Sequence, residues 1–498
     1  MNKVDYADVQ GLLRFGYKHM TQARYALLRV QDAAAARNWL RHAPVSDATL
    51  QQPPPTTALQ VAFTTPGLRA LGLAESVIAG FSHAFRGGMT QENRARELGD
   101  TGSNAPEYWH WGGAANEVHV LVMFFAVAGQ LDPLVQATTA DSWGAAFSVV
   151  DWLQTENLDG VEPFGFTDGI SQPQLDWLQQ RRAPHSAFDY GNVVALGEFL
   201  LGYRNEYDKI TDRPLLDADA ASAGLLPALD APTKQDLGRN GSYLVLRQLE
   251  QDVRGFWQFV NQQAGGDTAT AQTLAAAMVG RTRAGAALVP IQPQPIAGIG
   301  SDPQQIRQNQ FSYDTDPSGA RCPFGAHIRR ANPRNTGFPG HPASLLKKIL
   351  TLLGFGSRGF RDDLMSSVRF HRMLRRGREY GRELTPEDAL TPAPPHEPKR
   401  GLHFICLNAN LTRQFEFVQN AWLASSKFSG LTGESDPLLG NRQPLPDGGF
   451  THDFTVQQDG ALRQRVTGLP QFVTVRGGAY FFLPSLRALR YIARADAQ

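Results

Sequence analysis

The apolar positions of this chain fall into blocks that change period. Residues 24–40, RYALLRVQDAAAARNWL, open on a mostly apolar strand-like run, then shift to the helical spacing of DAAAARNWL with Asp32 near its start. Residues 242–259, SYLVLRQLEQDVRGFWQF, follow the same order and share Tyr-x-Leu/Val-Leu-Arg with the first block. Two almost wholly apolar runs, VHVLVMFFAVAG at 118–129 and GLHFICLNAN at 401–410, read as buried strands. Each is followed by a stretch expected to be helical, at 132–153 and 412–425. Strand–helix units in the same order in both halves predict two similar α+β domains.

The polar stretch 205–240, rich in Asp, Ala and Pro, reads as the connection between them. The expected organisation is therefore an N-terminal domain at 1–204, a connecting segment at 205–240 and a C-terminal domain at 241–498. Residues 336–360, containing the apolar ASLLKKILTLLGF, and the proline-broken 383–400 read as insertions.

Composition removes several function classes. With 48 Lys+Arg against 47 Asp+Glu over 498 residues, net charge supports neither nucleic-acid binding nor a polyacidic partner. The two cysteines, Cys322 and Cys406, form no CxxC pair, which excludes zinc ribbons and thioredoxin chemistry and fits a reducing cytoplasm. The first twenty residues lack the apolar core of a secretory signal. The run at 118–129 falls well short of the ~20 apolar residues that span a bilayer, so no membrane association is expected. HExxH, GxSxG, GxGxxG and Walker A motifs are missing from the sequence.

Three segments carry chemistry. EPFGFTDGISQPQ, at 162–174, holds Asp168 in a Gly-rich turn; alone it describes either a surface turn or a rigid loop aiming one carboxylate. RCPFGAHIRRANPR, at 321–334, isolates His327 beside Arg329, Arg330 and Arg334. Alone it reads more readily as a histidine packed in a basic loop, but a single axial histidine is also how many haem peroxidases hold iron, and arginines pair with haem propionates. VRFHRMLRRGREYG, at 368–381, is too dense in arginine for a core strand. Taken together, one carboxylate, one isolated histidine and one arginine-rich segment suit peroxide chemistry on iron. The histidine holds the metal, the carboxylate moves the peroxide proton, and an arginine stabilises charge as the O–O bond breaks.

At this point the chain resembles the dye-decolourising peroxidase family. The GxxDG signature is Gly165-Phe166-Thr167-Asp168-Gly169, and it stands in order with VQGLLRFGYKH near the N-terminus, GEFLLGYRNEY at 197–207 and MVGRTRAGAAL at 278–288. CPFGAHIRRANPR, HRMLRRGREYG, GLHFICLNANLTRQFEFVQNAW and VRGGAYFFLPSL at 475–486 complete the set. The resemblance implies two ferredoxin-like domains, each an antiparallel sheet with helices, and haem b held mainly by the second. It implies Asp168 as distal acid–base, Arg375 as distal arginine, His327 as axial iron ligand, and Leu402 and Phe404 as the apolar wall over the iron. The implied reaction reduces hydrogen peroxide and oxidises bulky organic donors, dyes and phenolics, through a ferryl-porphyrin radical. Arg329 and Arg334 are the expected propionate partners, and Glu416, just after the distal-wall strand, is the expected hydrogen-bond partner of the axial histidine. Because dyes are too bulky for such a pocket, Trp257, Trp422 and Tyr380 are candidate relays for their electrons. A haem-binding or haem-transfer protein with incidental peroxidase activity is the competing reading. The sequence leaves the oligomeric state open.

Overall fold

In the first half, apolar strands and capped helices form where the periodicity places them. Strand β1 (Gln22–Val30) leads into helix α1 (Ala33–His42), whose Asp32 carboxylate accepts the Ala35 N–H at 2.7 Å and so satisfies one open donor of the first turn. Strands β2 (Thr57–Phe63) and β3 (Val120–Ala126), helix α2 (Leu131–Thr138) and strand β4 (Phe147–Gln154) complete a βαββαβ unit. Its antiparallel sheet runs β2-β3-β1-β4. The computed structural model describes residues 3–140, 142–179, 193–291, 308–334 and 368–494.

The second half repeats the topology. Strand β5 (Ser242–Gln251) is followed by α3 (Val253–Gln263), capped by Asp252 on the Gly255 N–H, and by α4 (Thr268–Val279). After the short helix α5 (His327–Ala331) come two short strands, β6 (Leu374–Arg375) and β7 (Arg378–Tyr380), which together pair with β8 (Gly401–Asn408). Two π-helical segments, Thr412–Glu416 and Val418–Ala424, precede the last strand, β9 (Val473–Leu483). The order β6-β8-β5-β9 matches that of the first half strand for strand. The halves fuse where Phe482 of β9 pairs with Phe63 of β2, giving one nine-stranded sheet. The molecule is thus α+β, two ferredoxin-like domains sharing one sheet.

The unbroken apolar run of β3 follows from this sandwich. Val120, Val122 and Phe124 face one core, and Leu121, Met123 and Phe125 face a second core on the other side of the sheet. The helix expected over 132–153 is shorter than the pattern indicated, because Phe147–Gln154 is the edge strand β4. Its β-branched and aromatic residues pair with β1 and override the helical spacing. The connecting stretch is also more ordered than its composition indicated, since Leu215–Asp217, Leu226–Pro227 and Lys234–Asp236 form a small antiparallel sheet. The stretch 336–360 lies outside the described residues. No helix among the described residues is long and apolar enough to cross a membrane.

Candidate active site

A miniature hairpin carries Asp168. Val161 pairs with Thr167, the Asp168 N–H donates to the Gly160 carbonyl at 2.9 Å, and Gly165 and Gly169 take positive φ of 89° and 75°. Glycine is favoured at such angles, which explains the Gly-x-x-Asp-Gly spacing. The hairpin is held from below. Both the N–H and the hydroxyl of Thr167 donate to the Arg283 carbonyl, and Phe166 stacks on Trp257 with planes 5° apart. Glu162 accepts the Phe164 and Phe166 N–H groups and the Gln251 side-chain amide. Burial pushes the Glu162 carboxyl up to about 7. Asp168 therefore stands on a rigid turn at the wall of a cavity.

Arg375 arrives from strand β6. Its Nη1 lies 3.4 Å from Asp168 Oδ1, its Nη2 donates to the Ser171 carbonyl, and its backbone N–H donates to Gln172 Oε1. Both charged groups keep more than a third of their surface exposed, so this is a loose contact open to a small molecule. The neighbouring Arg376 turns away, donating from Nε to the Leu12 carbonyl. Leu402 and Phe404, two apart on β8, project from the same face and line the cavity.

His327 opens helix α5 and lines the same cavity. Its Nδ1 lies 3.0 Å from Asp436 Oδ2, and the other oxygen of that fully buried carboxylate accepts the Leu438 and Leu439 N–H groups. Burial alone would raise the Asp436 carboxyl. His327, the Leu439 N–H and Arg330 outweigh burial and hold it below the usual range. A carboxylate can only accept, so Nδ1 carries the proton and Nε2 keeps its lone pair for a metal.

Two sequence expectations are corrected here. Glu416 is not the partner of His327; its carboxylate accepts from Arg94 Nε at 2.7 Å and from the Tyr480 hydroxyl at 2.9 Å. The π-helical turn winds it toward β9, and the loop at 434–441 supplies Asp436 instead. Arg329 does not reach the cavity. Two residues after His327 on a helix it points roughly 200° away, and it is buried against Asp316 and the Cys322 carbonyl. Arg334 does line the cavity, donating to backbone oxygens of Asn309 and Phe311. Asp436 was the functional residue the sequence reading missed. Its signal was the Asp-Pro-Leu-Leu turn, in which an aspartate bonds the N–H groups two and three residues on. Of the aromatic relay candidates, Trp257 and Trp422 are buried, and Tyr380 is half-buried against His403.

The cavity has the complement an iron porphyrin requires. It offers a carboxylate-backed imidazole, apolar walls at Leu402, Phe404, Phe415 and Val418, and two arginines, Arg334 and Arg372, with no carboxylate partner among the described residues. With the Asp168 carboxylate and the Arg375 guanidinium on the same cavity, this fold and site are those of a haem peroxidase.

No family model matches the chain. Curated relatives do. The chain is 28% identical to "Peroxidase 2" of Mycetinis scorodonius over 98% of this chain and 87% of that protein. It is 28% identical to "Dye-decolorizing peroxidase AauDyP1" of Auricularia auricula-judae over 97% and 86% respectively. It is 32% identical to "Multifunctional dye peroxidase DyP2" of Amycolatopsis sp. over 68% of this chain and 62% of that one. Among solved structures, an ancestral D-type dye-decolorizing peroxidase superposes with a TM-score of 0.71 at 26% identity, covering 98% of this chain and 99% of the other. A fungal peroxidase of this type from Auricularia auricula-judae gives 0.72 at 25% identity, covering 99% of this chain and all of the other. Over nearly its whole length the chain is similar to dye-decolourising peroxidases in both sequence and fold.

Proposed function

We infer that the chain reduces hydrogen peroxide and oxidises bulky organic donors such as dyes and phenolics, with haem as cofactor. The observation that carries this is the Asp168–Arg375 pair lining one cavity with an Asp436-backed His327. His327 would hold the iron through Nε2, and the haem, when bound, supplies the redox change. Asp168 takes the proton from the incoming peroxide and returns it to the departing oxygen. Arg375 offers a guanidinium to the negative charge that develops on that oxygen. Leu402 and Phe404 keep bulk water and large donors away from the reacting atoms. Asp436 fixes the imidazole tautomer and strengthens its basicity.

The haem is haem b in this reading. Attachment of the c type uses a C-x-x-C-H motif, and the chain has only Cys322 and Cys406, both buried and far apart in sequence. The free thiols also support a reducing, cytoplasmic setting. The groups named all come from one chain, so a single copy carries them together. The deciding experiment is reconstitution with haem followed by steady-state turnover with hydrogen peroxide and a dye. A Soret band with dye turnover is expected. A Soret band without turnover would mark a haem carrier, and no Soret band would end the haem reading.

A further inference from the structure

His371 lines the cavity, is only 5% exposed, and has no part in the peroxide chemistry above. Its ring is clamped, stacked on Phe417 at 3.8 Å and edge-on to Trp422 at 5.2 Å. Its Nδ1 is hydrogen-bonded to the Arg413 carbonyl oxygen. A carbonyl only accepts, so Nδ1 carries the proton and Nε2 is a bare acceptor. That Nε2 is buried and has no hydrogen-bond partner among the described residues. A buried ring nitrogen in this state calls for an explanation.

Among the described residues, the acids on the surrounding elements are engaged elsewhere. The Arg413 guanidinium is paired with Glu198, and Arg369 with Glu206. Glu416, next to Phe417 in sequence, is engaged by Arg94 and Tyr480. Asp436 is engaged by His327. Arg330 donates to the Trp422 carbonyl, and Arg372 and Arg334 are further cations that line the same cavity. Burial lowers the His371 pKa to about 4, so the ring is neutral near pH 7. A neutral acceptor and two arginines that have no carboxylate partner among the described residues line one cavity, and a carboxylate that arrives with a proton satisfies both.

We propose that His371 is a cofactor-binding residue that, with Arg372, takes one propionate of the haem, and that one proton is taken up at this contact as the haem docks. This rests on the haem reading above. The balance is simple: neutral imidazole, ionised propionate and one solvent proton give an Nε2–H···O contact, and one proton enters per haem. An anion beside the ring favours its charged form, so the site retains that proton at a pH where the empty pocket would release it.

The test is a Soret titration of the haem-free protein between pH 5.5 and 8.5 with two probes, iron(III) protoporphyrin IX and its dimethyl ester, which lacks propionate charge. Any pH effect at the iron ligand is common to both probes, so the difference between them isolates the propionate contact. In the parent, affinity for the acid relative to the ester should fall with rising pH, approaching tenfold per unit where one proton is coupled. In His371→Phe that relative slope should vanish while circular dichroism shows the fold intact. His371→Gln, which can donate but not titrate, should restore affinity without the slope. Equal slopes for acid and ester in the parent would overturn the proposal without recourse to any variant, as would persistence of the relative slope in a folded His371→Phe. A parent that shows no Soret band with either probe removes the haem reading and this inference together.

Discussion

Arg375 Nη1 and Asp168 Oδ1 stand 3.4 Å apart, although Arg375 belongs to the second βαββαβ repeat and Asp168 to the loop that follows the first. The contact is close enough to orient both groups and open enough to admit peroxide.

Replacing either partner should separate their roles. Asp168→Asn keeps the size and removes the base, so the peroxide-dependent change in the Soret spectrum should slow by about 10²- to 10⁴-fold while haem binding survives. Arg375→Leu should slow the same step by removing charge stabilisation, by about 10²- to 10³-fold. Stopped-flow mixing with peroxide measures both. A crippled Arg375→Leu beside a nearly normal Asp168→Asn would return Asp168 to a structural part.

The His327–Asp436 pair predicts a redox signature. Asp436→Asn removes the anion behind the imidazole, so the Fe(III)/Fe(II) potential should rise and haem affinity should fall by about 10- to 100-fold. Glu416→Gln should leave the potential unchanged and cost a few kcal/mol of stability, because it weakens a buried partner of Arg94. Spectroelectrochemical titration of the two variants distinguishes them; a potential that follows Glu416 instead would contradict the assignment.

Glu162 predicts a pH-dependent loss of stability. Its folded pKa of about 7 lies above its ordinary 4.5, so the folded state holds this proton longer than the unfolded one. Stability from this group is therefore complete below pH ~4.5 and declines as pH rises through about 7. Glu162→Gln should flatten that decline, so the variant gains on the parent between pH 5 and pH 8 in denaturant midpoints. The prediction fails if both lose stability in parallel.

Gly285 supports the catalytic loop by having no side chain. Its φ is +87°, and a Cβ there would meet Ile170 Cδ1 at 2.6 Å and Thr167 Cβ at 3.2 Å, on both sides of Asp168. Gly285→Ala should cost about 1–2 kcal/mol from backbone strain. It should also displace the loop, so that peroxide reaction slows while the haem spectrum is kept. Unaltered kinetics in a measurably destabilised variant would show that the loop absorbs the push.

The parts of this molecule that depend on local pattern were legible in the sequence. Asp32 heads α1 because a short polar acceptor must satisfy the first turn, and the shared Tyr-x-Leu/Val-Leu-Arg marks equivalent central strands, β1 and β5. Asp168 and His327 are marked by a glycine turn and by isolation in a basic segment, whereas Arg375 is singled out among the five arginines of 368–381 only by the family resemblance. What remained hidden depends on contacts distant in sequence. Asp436 meets His327 from a loop that sequence gives no reason to fold back there, and Arg329 leaves the cavity through helical rotation within a five-residue helix. Strand β4 hides because Phe147–Gln154 becomes a strand only when β1 is beside it.

The position of β9 has a kinetic consequence. It comes last in sequence among the nine strands yet sits inside the sheet, bonded to β5 on one side and β2 on the other. A chain leaving the ribosome can assemble β1 to β4 early, but β2 and β5 keep raw edges until β9 is synthesised and threads between them. Such edges invite pairing with other nascent chains, and closure from so far along the chain is slow. A premature stop or a translational pause just before residue 473 would therefore direct this protein toward aggregation rather than toward a weakened enzyme.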